Sequence, residues 1–327
     1  MKEMIDFETA RAYAIPLTTR FRGIDTREGM LIEGPQGWGE FCPFAEYDDR
    51  ESAPWLTAAI EPGTVGWPDA VRGRVPINAI VPAVDPARAL EITVASGCRT
   101  AKVKVADHPA SLVEDLDRVA AVREALGPDG AVRVDANGAW DVESAVTVIP
   151  LLDEAAGGLE YVEQPCATIE ELAVVRRRVN VRIAADESIR RAADPMRVAV
   201  AEAADVAVLK VAPLGGVRRA LRVAEACGLP CVVSSALETS VGLSAGLALA
   251  GALPTLDFAC GLGTMSLLAG DVVAGSRSLR PVDGYLPVAP MPTGPEPELL
   301  DRYSIADPER VAWWRARLAR VMALQDE

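Results

Sequence analysis

The sequence predicts an α/β fold in which a (β/α)8 barrel follows a small α+β domain. From about Val75 onward, short runs rich in β-branched residues alternate with helical segments rich in Ala, Leu and Arg. This alternation is typical of βαβ units around a parallel sheet. About eight strand-like runs follow one another, which is the number that closes a barrel. The first 70 or so residues lack the alternation and predict a separate unit.

In the N-terminal unit, residues 29–34 and 37–41 are strand-like runs joined by Pro35-Gln36. Two short runs separated by a turn dipeptide are typical of a β-hairpin. A helical or irregular stretch follows, through Trp55 and Ile60. We therefore expect a small α+β domain over residues 1–74.

The barrel is predicted over residues 75–286. Its strand-like runs are 75–81, 100–105, 131–136, 158–164, 182–186, 206–211, 230–235 and 258–261. The helical segments predicted between them include 86–95, 110–126, 170–179 and 216–227. The alternative is a doubly wound open sheet, but no Gly-x-Gly-x-x-Gly motif follows the first strand.

Residues 287–327 are predicted to form a linker and a helix that returns to the N-terminal domain. The proline-rich stretch 287–297 is the predicted linker. Asp307 can cap the helix, and Pro308 suits its first turn. Apolar residues then recur on one face of the helix, namely Val311, Trp314, Leu318 and Val321.

Composition narrows the classes of function. The chain has 327 residues, half of them hydrophobic, and a formal net charge of −14 at pH 7. This charge argues against nucleic-acid binding, which needs clustered Lys and Arg. No uncharged apolar run is long enough to span a membrane, and no signal peptide is evident. We expect a cytoplasmic protein that does not bind a membrane.

The single histidine and the six cysteines form no recognisable site. His108 lies in a loop-like stretch before Pro109, where a surface position is the simplest interpretation. No Cys-x-x-Cys pair occurs, and free buried thiols in a reducing compartment are expected. Ser-His-Asp hydrolysis, Cys-His catalysis and His-rich zinc sites are therefore poor candidates.

Charged residues lie at or near the ends of five successive predicted strands, about 23 to 31 residues apart from one strand to the next. They are Lys102, Lys104, Asp135, Glu163, Asp186 and Lys210. A charge in a buried strand is costly unless it is paired or ligated. Because barrel active sites lie at the C-terminal strand ends, we predict that these six residues form the active site.

The chemistry of these residues favours metal-assisted removal of a proton next to a carboxylate. Three carboxylates without His or Cys make a hard oxygen site, which suits Mg²⁺ better than Zn²⁺. A divalent cation stabilises the negative charge that develops as the proton leaves. Lys102 and Lys104 are expected to face Lys210 across the barrel. A lysine near the metal and a second lysine should have a lowered pKa and act as a base.

These residues resemble the enolase superfamily, in its muconate-lactonising-enzyme-like branch. The matching motifs extend over nearly the whole chain and are Lys102-Val103-Lys104, Asp135-Ala136-Asn137, Glu163-Gln164-Pro165, Asp186-Glu187-Ser188 and Lys210. Within the branch, residues 135–140, 234–242 and 261–264 are most similar to the o-succinylbenzoate synthases of menaquinone biosynthesis. Residues 20–24 are similar in position to the loop with which the family's capping domain closes over the substrate.

The resemblance implies a TIM-like barrel with a capping domain formed by the N-terminus and the C-terminal segment. It implies a lyase that dehydrates 2-succinyl-6-hydroxy-2,4-cyclohexadiene-1-carboxylate to o-succinylbenzoate. Lys104 would be the base, assisted by Lys210 and Lys102. Mg²⁺, or Mn²⁺ as a substitute, would be held by Asp135, Glu163 and Asp186. The residues implied to orient these groups or to contact the substrate are Arg133, Asn137, Glu187, Ser234, Ser235, Gly261 and Gly263.

Three other functions remain open at this point. An N-acylamino acid racemase or a cycloisomerase on the same scaffold also uses two opposed lysines, so the catalytic residues do not separate these activities. A non-catalytic barrel that binds an acidic metabolite or a partner protein is the third. The expected partner in the favoured interpretation is a small carboxylate substrate, and the sequence points to no particular protein partner.

Overall fold

A computed structural model describes residues 2–190, 202–289 and 294–325. The chain begins with an antiparallel sheet in the order β1 (Arg11–Phe21), β2 (Ile24–Gly34) and β3 (Gly37–Phe41). Gly34 pairs with Gly37 across the Pro35-Gln36 turn, so the predicted hairpin is confirmed. Strand β1 was not predicted from the sequence.

Helix α1 (Asp49–Thr64) packs on β3 and completes the N-terminal part of the capping domain. Asp48 and Glu51 form a reciprocal capping box at its first turn, which satisfies two backbone N–H groups that would otherwise lack partners. The predicted helical stretch through Trp55 and Ile60 lies in this helix.

The remaining strands are β4 (Arg74–Pro76), β5 (Ala79–Val81), β6 (Thr100–Lys104), β7 (Ala131–Asp135), β8 (Leu159–Glu163), β9 (Ile183–Ala185), β10 (Val206–Lys210), β11 (Cys231–Ser234) and β12 (Tyr285–Pro287). Strands β5 to β11 form one parallel sheet in sequence order. Cys260 bridges Ile77 beside one edge of this sheet, and Gly261 bridges Ser234 at the other. The two bridges close the ring, and the predicted barrel is confirmed.

Two details differ from the prediction. The run 75–81 is divided, because β4 pairs antiparallel with β12 while only β5 enters the barrel sheet. Pro76 at the end of β4 has no N–H group to donate, which suits a strand end. The eighth run, 258–261, closes the barrel through isolated bridges and not as a full strand.

The other helices are α2 (Pro86–Ser96), α3 (Leu112–Leu126), α4 (Val142–Ala155), α5 (Ile169–Arg178), α6 (Glu187–Arg190), α7 (Val211–Leu214), α8 (Val217–Cys227), α9 (Ser240–Ala252), α10 (Pro297–Arg302) and α11 (Pro308–Leu324). Side chains of Asp85, Asp141 and Thr168 cap α2, α4 and α5, as their sequence positions favour. None of the helices in the described ranges is both long and apolar enough to cross a bilayer.

Helix α11 returns to the capping domain. Its Trp314 is buried and meets Phe41 of β3 edge to face, with ring centroids 6.2 Å apart. The buried Arg317 donates to the backbone carbonyls of Phe44 and Tyr47, at 2.9 and 2.6 Å. The C-terminal segment thus belongs to the cap, as the predicted fold class has it. Residues 290–293 of the predicted linker lie outside the described residues, and the predicted boundaries after 74 and 286 stay predictions.

Candidate active site

The C-terminal ends of the barrel strands bring the predicted charged residues together. Lys104, Asp135 and Glu163 lie side by side in the register of β6, β7 and β8. Asp186 directly follows β9, and Lys210 ends β10. This placement results from the parallel sheet, because the C-terminal ends of parallel strands all lie at the same end of the barrel.

A cavity of about 290 Å³ lies at these strand ends. The lysines Lys102, Lys104 and Lys210 line it. Since β6 and β10 are four strands apart in an eight-membered ring, Lys104 and Lys210 approach the cavity from opposite sides. Asp135 also lines the cavity, on the arc between the two lysines.

The capping domain covers the same cavity. Arg20, Phe21 and Arg22, from the turn between β1 and β2, line it together with Phe44. The Lys104 ammonium lies 5.3 Å from the centre of the Phe21 ring. The segment that the sequence predicted as a closing loop therefore lies against the active-site residues, where it can exclude water from them.

Each of the three buried carboxylates is paired with a lysine. Lys102 Nζ donates to Glu163 Oε1 at 2.8 Å and lies 3.5 Å from Asp135 Oδ2. Lys104 Nζ donates to Asp135 Oδ2 at 2.5 Å. On the other side, Lys210 Nζ donates to Asp186 Oδ2, also at 2.5 Å. Each carboxylate residue is 1% exposed, so these ion pairs offset the cost of burying charge.

Burial and neighbouring charges shift the pKa values of the carboxyl groups in different directions. Burial and the charges of Asp135 and Asp186 raise the pKa of Glu163 to about 7. Burial also opposes ionisation of Asp135, but Lys104 and Lys102 overcome it and hold that pKa below its usual range. The pKa of Asp186 is likewise lowered, by Lys210 and Arg190 against the effect of burial.

Lys102 is the central cation of the cluster. Burial alone would lower its pKa, but the negative charges of Glu163 and Asp135 raise it well above the usual range. A lysine held in its charged form between two carboxylates is suited to fix their positions.

A divalent cation fits this donor set. Among residues 2–190, 202–289 and 294–325, no group of three or more His, Cys, Asp or Glu side chains is already arranged around one point; each of the three carboxylates bonds a lysine. The donors of Asp135, Glu163 and Asp186 are oxygens only, as Mg²⁺ prefers. Their mutual repulsion, which raises the pKa of Glu163, is the interaction that a bound cation would relieve.

Asn137 and Glu187 connect the two halves of the cluster. Asn137 Oδ1 accepts from Lys104 Nζ at 2.7 Å, and its Nδ2 donates to Glu187 Oε1 at 3.3 Å. The backbone N–H of Asn137 donates to Asp135 Oδ1 at 3.0 Å. Asn137 has a φ of 49°, a conformation that Asn adopts more readily than most residues. These contacts support its predicted role of orienting the lysine.

The seventh and eighth strand ends form another wall of the cavity. Ser234, Ser235 and Gly261 line it. The Ser235 hydroxyl lies 2.7 Å from the Thr264 hydroxyl. The backbone N–H of Ser235 donates to the carbonyl of Gly261 at 3.1 Å. Gly263 instead borders a neighbouring cavity, where an added Cβ would lie 3.0 Å from the carbonyl oxygen of Asn78.

Arg133 lies apart from the cluster that it was predicted to orient. It precedes Asp135 by two residues, and its guanidinium bonds Glu160 at 2.5 Å, Asn78 at 3.0 Å and the carbonyl of Ala259 at 2.7 Å. The long side chain reaches Asn78 just before β5, Glu160 of β8 and Ala259 of the segment that closes the barrel.

Sequence reasoning missed Arg190 and Tyr47. Arg190 bonds both Asp186 and Glu187, and the Tyr47 hydroxyl accepts from Arg190 at 2.7 Å. A signal for Arg190 existed, since it follows Asp186 by four residues, a spacing at which helical side chains meet. Tyr47 comes from the capping domain, and no sequence spacing connects it to the strand ends.

The chain is similar to known proteins along nearly its whole length. A family model described as Enolase C-terminal domain-like matches residues 85–295, and one described as Enolase N-terminal domain-like matches residues 12–63. An o-succinylbenzoate synthase of Thermobifida fusca (strain YX) is 60% identical over 319 residues, covering 98% of both chains. One of Mycobacterium tuberculosis (strain ATCC 25618 / H37Rv) is 53% identical over 312 residues, covering 95% of this chain and 93% of its own.

The fold also matches solved structures. The muconate lactonizing enzyme from Pseudomonas putida superimposes with a TM-score of 0.73 at 21% identity, over 92% of this chain and 99% of that one. At this identity the likeness shows the shared fold alone.

Proposed function

This chain belongs to the enolase superfamily and, within it, to the o-succinylbenzoate synthase family, and from that premise we propose how its residues carry out the reaction. The 60% identity to the synthase of Thermobifida fusca, over nearly the whole chain, confirms the predicted lyase activity. The observation that carries the mechanism is the placement of Lys104 and Lys210 on opposite sides of one cavity, with three buried carboxylates between them.

We propose that Lys104 is the base. In its neutral form it takes the proton next to the ring carboxylate of the cyclohexadiene substrate, and the electron pair of the C–H bond passes into an enediolate. The ammonium so formed then gives a proton to the departing ring hydroxyl on the same face, and the C–O bond breaks to release water. Asn137, bonded to Lys104 at 2.7 Å, orients the amine for both transfers.

Lys210 acts from the opposite face. It does not exchange a proton in this reaction. Its positive charge stabilises the negative charge of the enediolate for as long as the enediolate exists. Lys102 holds Glu163 and Asp135 in place through contacts at 2.8 and 3.5 Å. The ring gains aromaticity as water leaves, so the protein has only to position the substrate, move one proton and stabilise charge.

The family implies a divalent metal, and we propose Mg²⁺, with Mn²⁺ able to replace it. Asp135, Glu163 and Asp186 would hold the ion, because they offer three buried oxygen donor groups and no sulfur or nitrogen. When bound, the ion supplies positive charge that stabilises the negative charge developing on the substrate carboxylate.

Two opposed lysines also suit the proton exchange on both faces that a racemase requires. What favours the dehydration is the similarity to o-succinylbenzoate synthases over nearly the full length. The substrate partner is therefore a small carboxylate. The predicted cytoplasmic location and the predicted lack of nucleic-acid binding stay predictions.

The product of the reaction tests the proposed function. Purified protein with Mg²⁺ and the cyclohexadiene carboxylate is expected to yield o-succinylbenzoate, identified by its mass and proton spectrum, with loss of one water. A protein that leaves this substrate unchanged, yet moves deuterium from the solvent into an N-acylamino acid, would contradict the proposal and support a racemase.

A further inference from the structure

Arg190 is a buried cation beside the predicted metal ligands. It ends the short helix α6, which begins directly after Asp186. Its side chain is only 5% exposed, although the residue borders the active-site cavity. A guanidinium in such a place needs partners for its donors, because burying an unpaired charge is costly.

Its three nitrogens have three different partners. Nε donates to Asp186 Oδ1 at 3.0 Å, Nη2 donates to Glu187 Oε1 at 2.7 Å, and Nη1 donates to the Tyr47 hydroxyl at 2.7 Å. Because the guanidinium is planar and rigid, three directional bonds fix its position and orientation. The Asp186 oxygen that it contacts is thereby fixed as well.

Asp186 differs in this respect from the other two carboxylates. Within the described ranges, Asp135 and Glu163 are ion-paired with lysines alone, whereas Asp186 is paired with Lys210 through Oδ2 and with Arg190 through Oδ1. A lysine has a flexible stem and can leave a carboxylate, while this arginine is held by two further partners. Arg190 therefore contacts Asp186 through an oxygen that does not depend on Lys210.

Tyr47 links this arrangement to the capping domain. Its hydroxyl also accepts from Arg22 of the closing loop at 2.9 Å. Its backbone carbonyl accepts from Arg317 of α11 at 2.6 Å. The guanidinium of Arg190 is thus anchored, through one tyrosine, to both the N-terminal and the C-terminal parts of the cap.

We propose that Arg190 is a positioning residue, which holds Asp186 ready to bind the divalent metal and uses Tyr47 as its anchor on the capping domain. The negative charge of Glu187 balances the positive charge of Arg190. The pair can therefore orient Asp186 while it reduces the attraction of the site for a cation only slightly. The inference rests on the proposed function only where that function assigns Asp186 to the metal.

The test is the affinity for Mg²⁺ without substrate, measured by titration calorimetry on the full chain. Arg190→Lys keeps the positive charge but loses the rigid fork, and it is expected to raise the dissociation constant about tenfold, as loss of a partner that orients a ligand does. Tyr47→Phe keeps every charge and removes one anchor, and is expected to raise the constant about threefold. Unchanged affinity in either variant overturns the proposal.

Arg178→Lys is the matched control, because Arg178 makes a comparable fork to Glu143 on the surface, at 2.5 and 3.0 Å. It is expected to bind Mg²⁺ like the native protein, and an equal loss there overturns the proposal. Saturating Mg²⁺ is expected to return the substrate KM of Arg190→Lys to near the native value. A KM that stays raised would instead indicate that Arg190 binds substrate.

The positioning role of Arg190 and the dehydration activity are tested by different measurements, so either can be wrong without the other. If the native protein does not dehydrate the cyclohexadiene carboxylate, but Arg190→Lys still weakens Mg²⁺ binding, the function is wrong and the positioning role stands. Thermal unfolding of each variant by circular dichroism verifies folding, and the mild Tyr47→Phe change provides a result if Arg190→Lys does not fold.

Discussion

Lys104 has the contacts expected of a base that is oriented before substrate binds. Its ammonium bonds Asp135 and Asn137, and the residue borders the cavity. We predict that Lys104→Ala lowers kcat by at least about a hundredfold, since a positioned acid or base contributes that much. The rate of substrate loss in a spectrophotometric assay measures the effect.

The fold should survive this change, because Lys102 remains 3.5 Å from Asp135. His108→Ala is the control, since the His108 side chain is 46% exposed and bonds only Glu114 in the described part of the chain. It is expected to keep native activity. A Lys104→Ala protein with most of its activity would disprove the role as base.

Glu163 is predicted to be a metal ligand, and Glu163→Gln tests this without changing its size. The amide removes one negative charge from the donor set, so Mg²⁺ affinity is expected to fall at least about tenfold. Calorimetric titration measures it. Glu143→Gln, on the exposed face of α4, is expected to bind as the native protein does. Equal affinities in the two variants would refute the three-carboxylate site.

At the scale of elements, the contact between β3 and α1 requires a glycine. A Cβ on Gly39 would lie 1.7 Å from the carbonyl oxygen of Ala59, a distance that forces the helix and the strand apart. We predict that Gly39→Ala lowers the free energy of unfolding by at least about 2 kcal/mol. Chemical denaturation measures the loss.

Gly73→Ala is the matched control for this change. An added Cβ there meets nothing within 4 Å, and its backbone is not in the left-handed region. Its stability is expected to stay within about 0.5 kcal/mol of the native value. If the two variants were equally stable, the close packing of β3 on α1 would be disproved.

The start of α9 is capped from another domain. Glu40 of β3 accepts from the backbone N–H groups of Thr239 at 3.1 Å and Gly242 at 2.9 Å, and from the Tyr13 and Thr239 hydroxyls. Helix N-termini have unpaired N–H groups, and here the capping domain satisfies them.

We predict that Glu40→Gln destabilises the protein by roughly 1–3 kcal/mol, because its NH2 group would face N–H donors in a buried place. Guanidinium denaturation measures the difference. Glu33→Gln, at an exposed position on β2, should have no measurable effect. A native-like Glu40→Gln protein would show that the cap does not stabilise α9.

The sequence predicted the barrel and its six charged residues because both have a local cause. Period-two strands place residues such as Lys102 and Lys104 on one face, and repeated βα units bring their ends together. The cap–barrel contacts have no such cause. The hydrogen bonds that Arg190 donates to Tyr47 and that Thr239 donates to Glu40 join residues far apart in sequence, and only the folded chain brings them together.

At the scale of the whole molecule, the sign of the charge at the active-site cavity differs from that of the chain. The formal net charge is −14, yet the cavity is bordered by Lys102, Lys104 and Lys210, with Arg20 and Arg22 on the cap. A dicarboxylate substrate is therefore attracted by the site itself and not by the surface in general. This arrangement agrees with a small acidic ligand.

Metal-assisted dehydration at this cavity is tested most directly by the rate at which diene absorbance is lost. Native protein with Mg²⁺ and the cyclohexadiene carboxylate is expected to remove the absorbance rapidly. EDTA should stop the loss, and added Mg²⁺ should restore it. Absorbance that persists when calorimetry shows Mg²⁺ bound, or a loss that EDTA does not affect, would contradict the account.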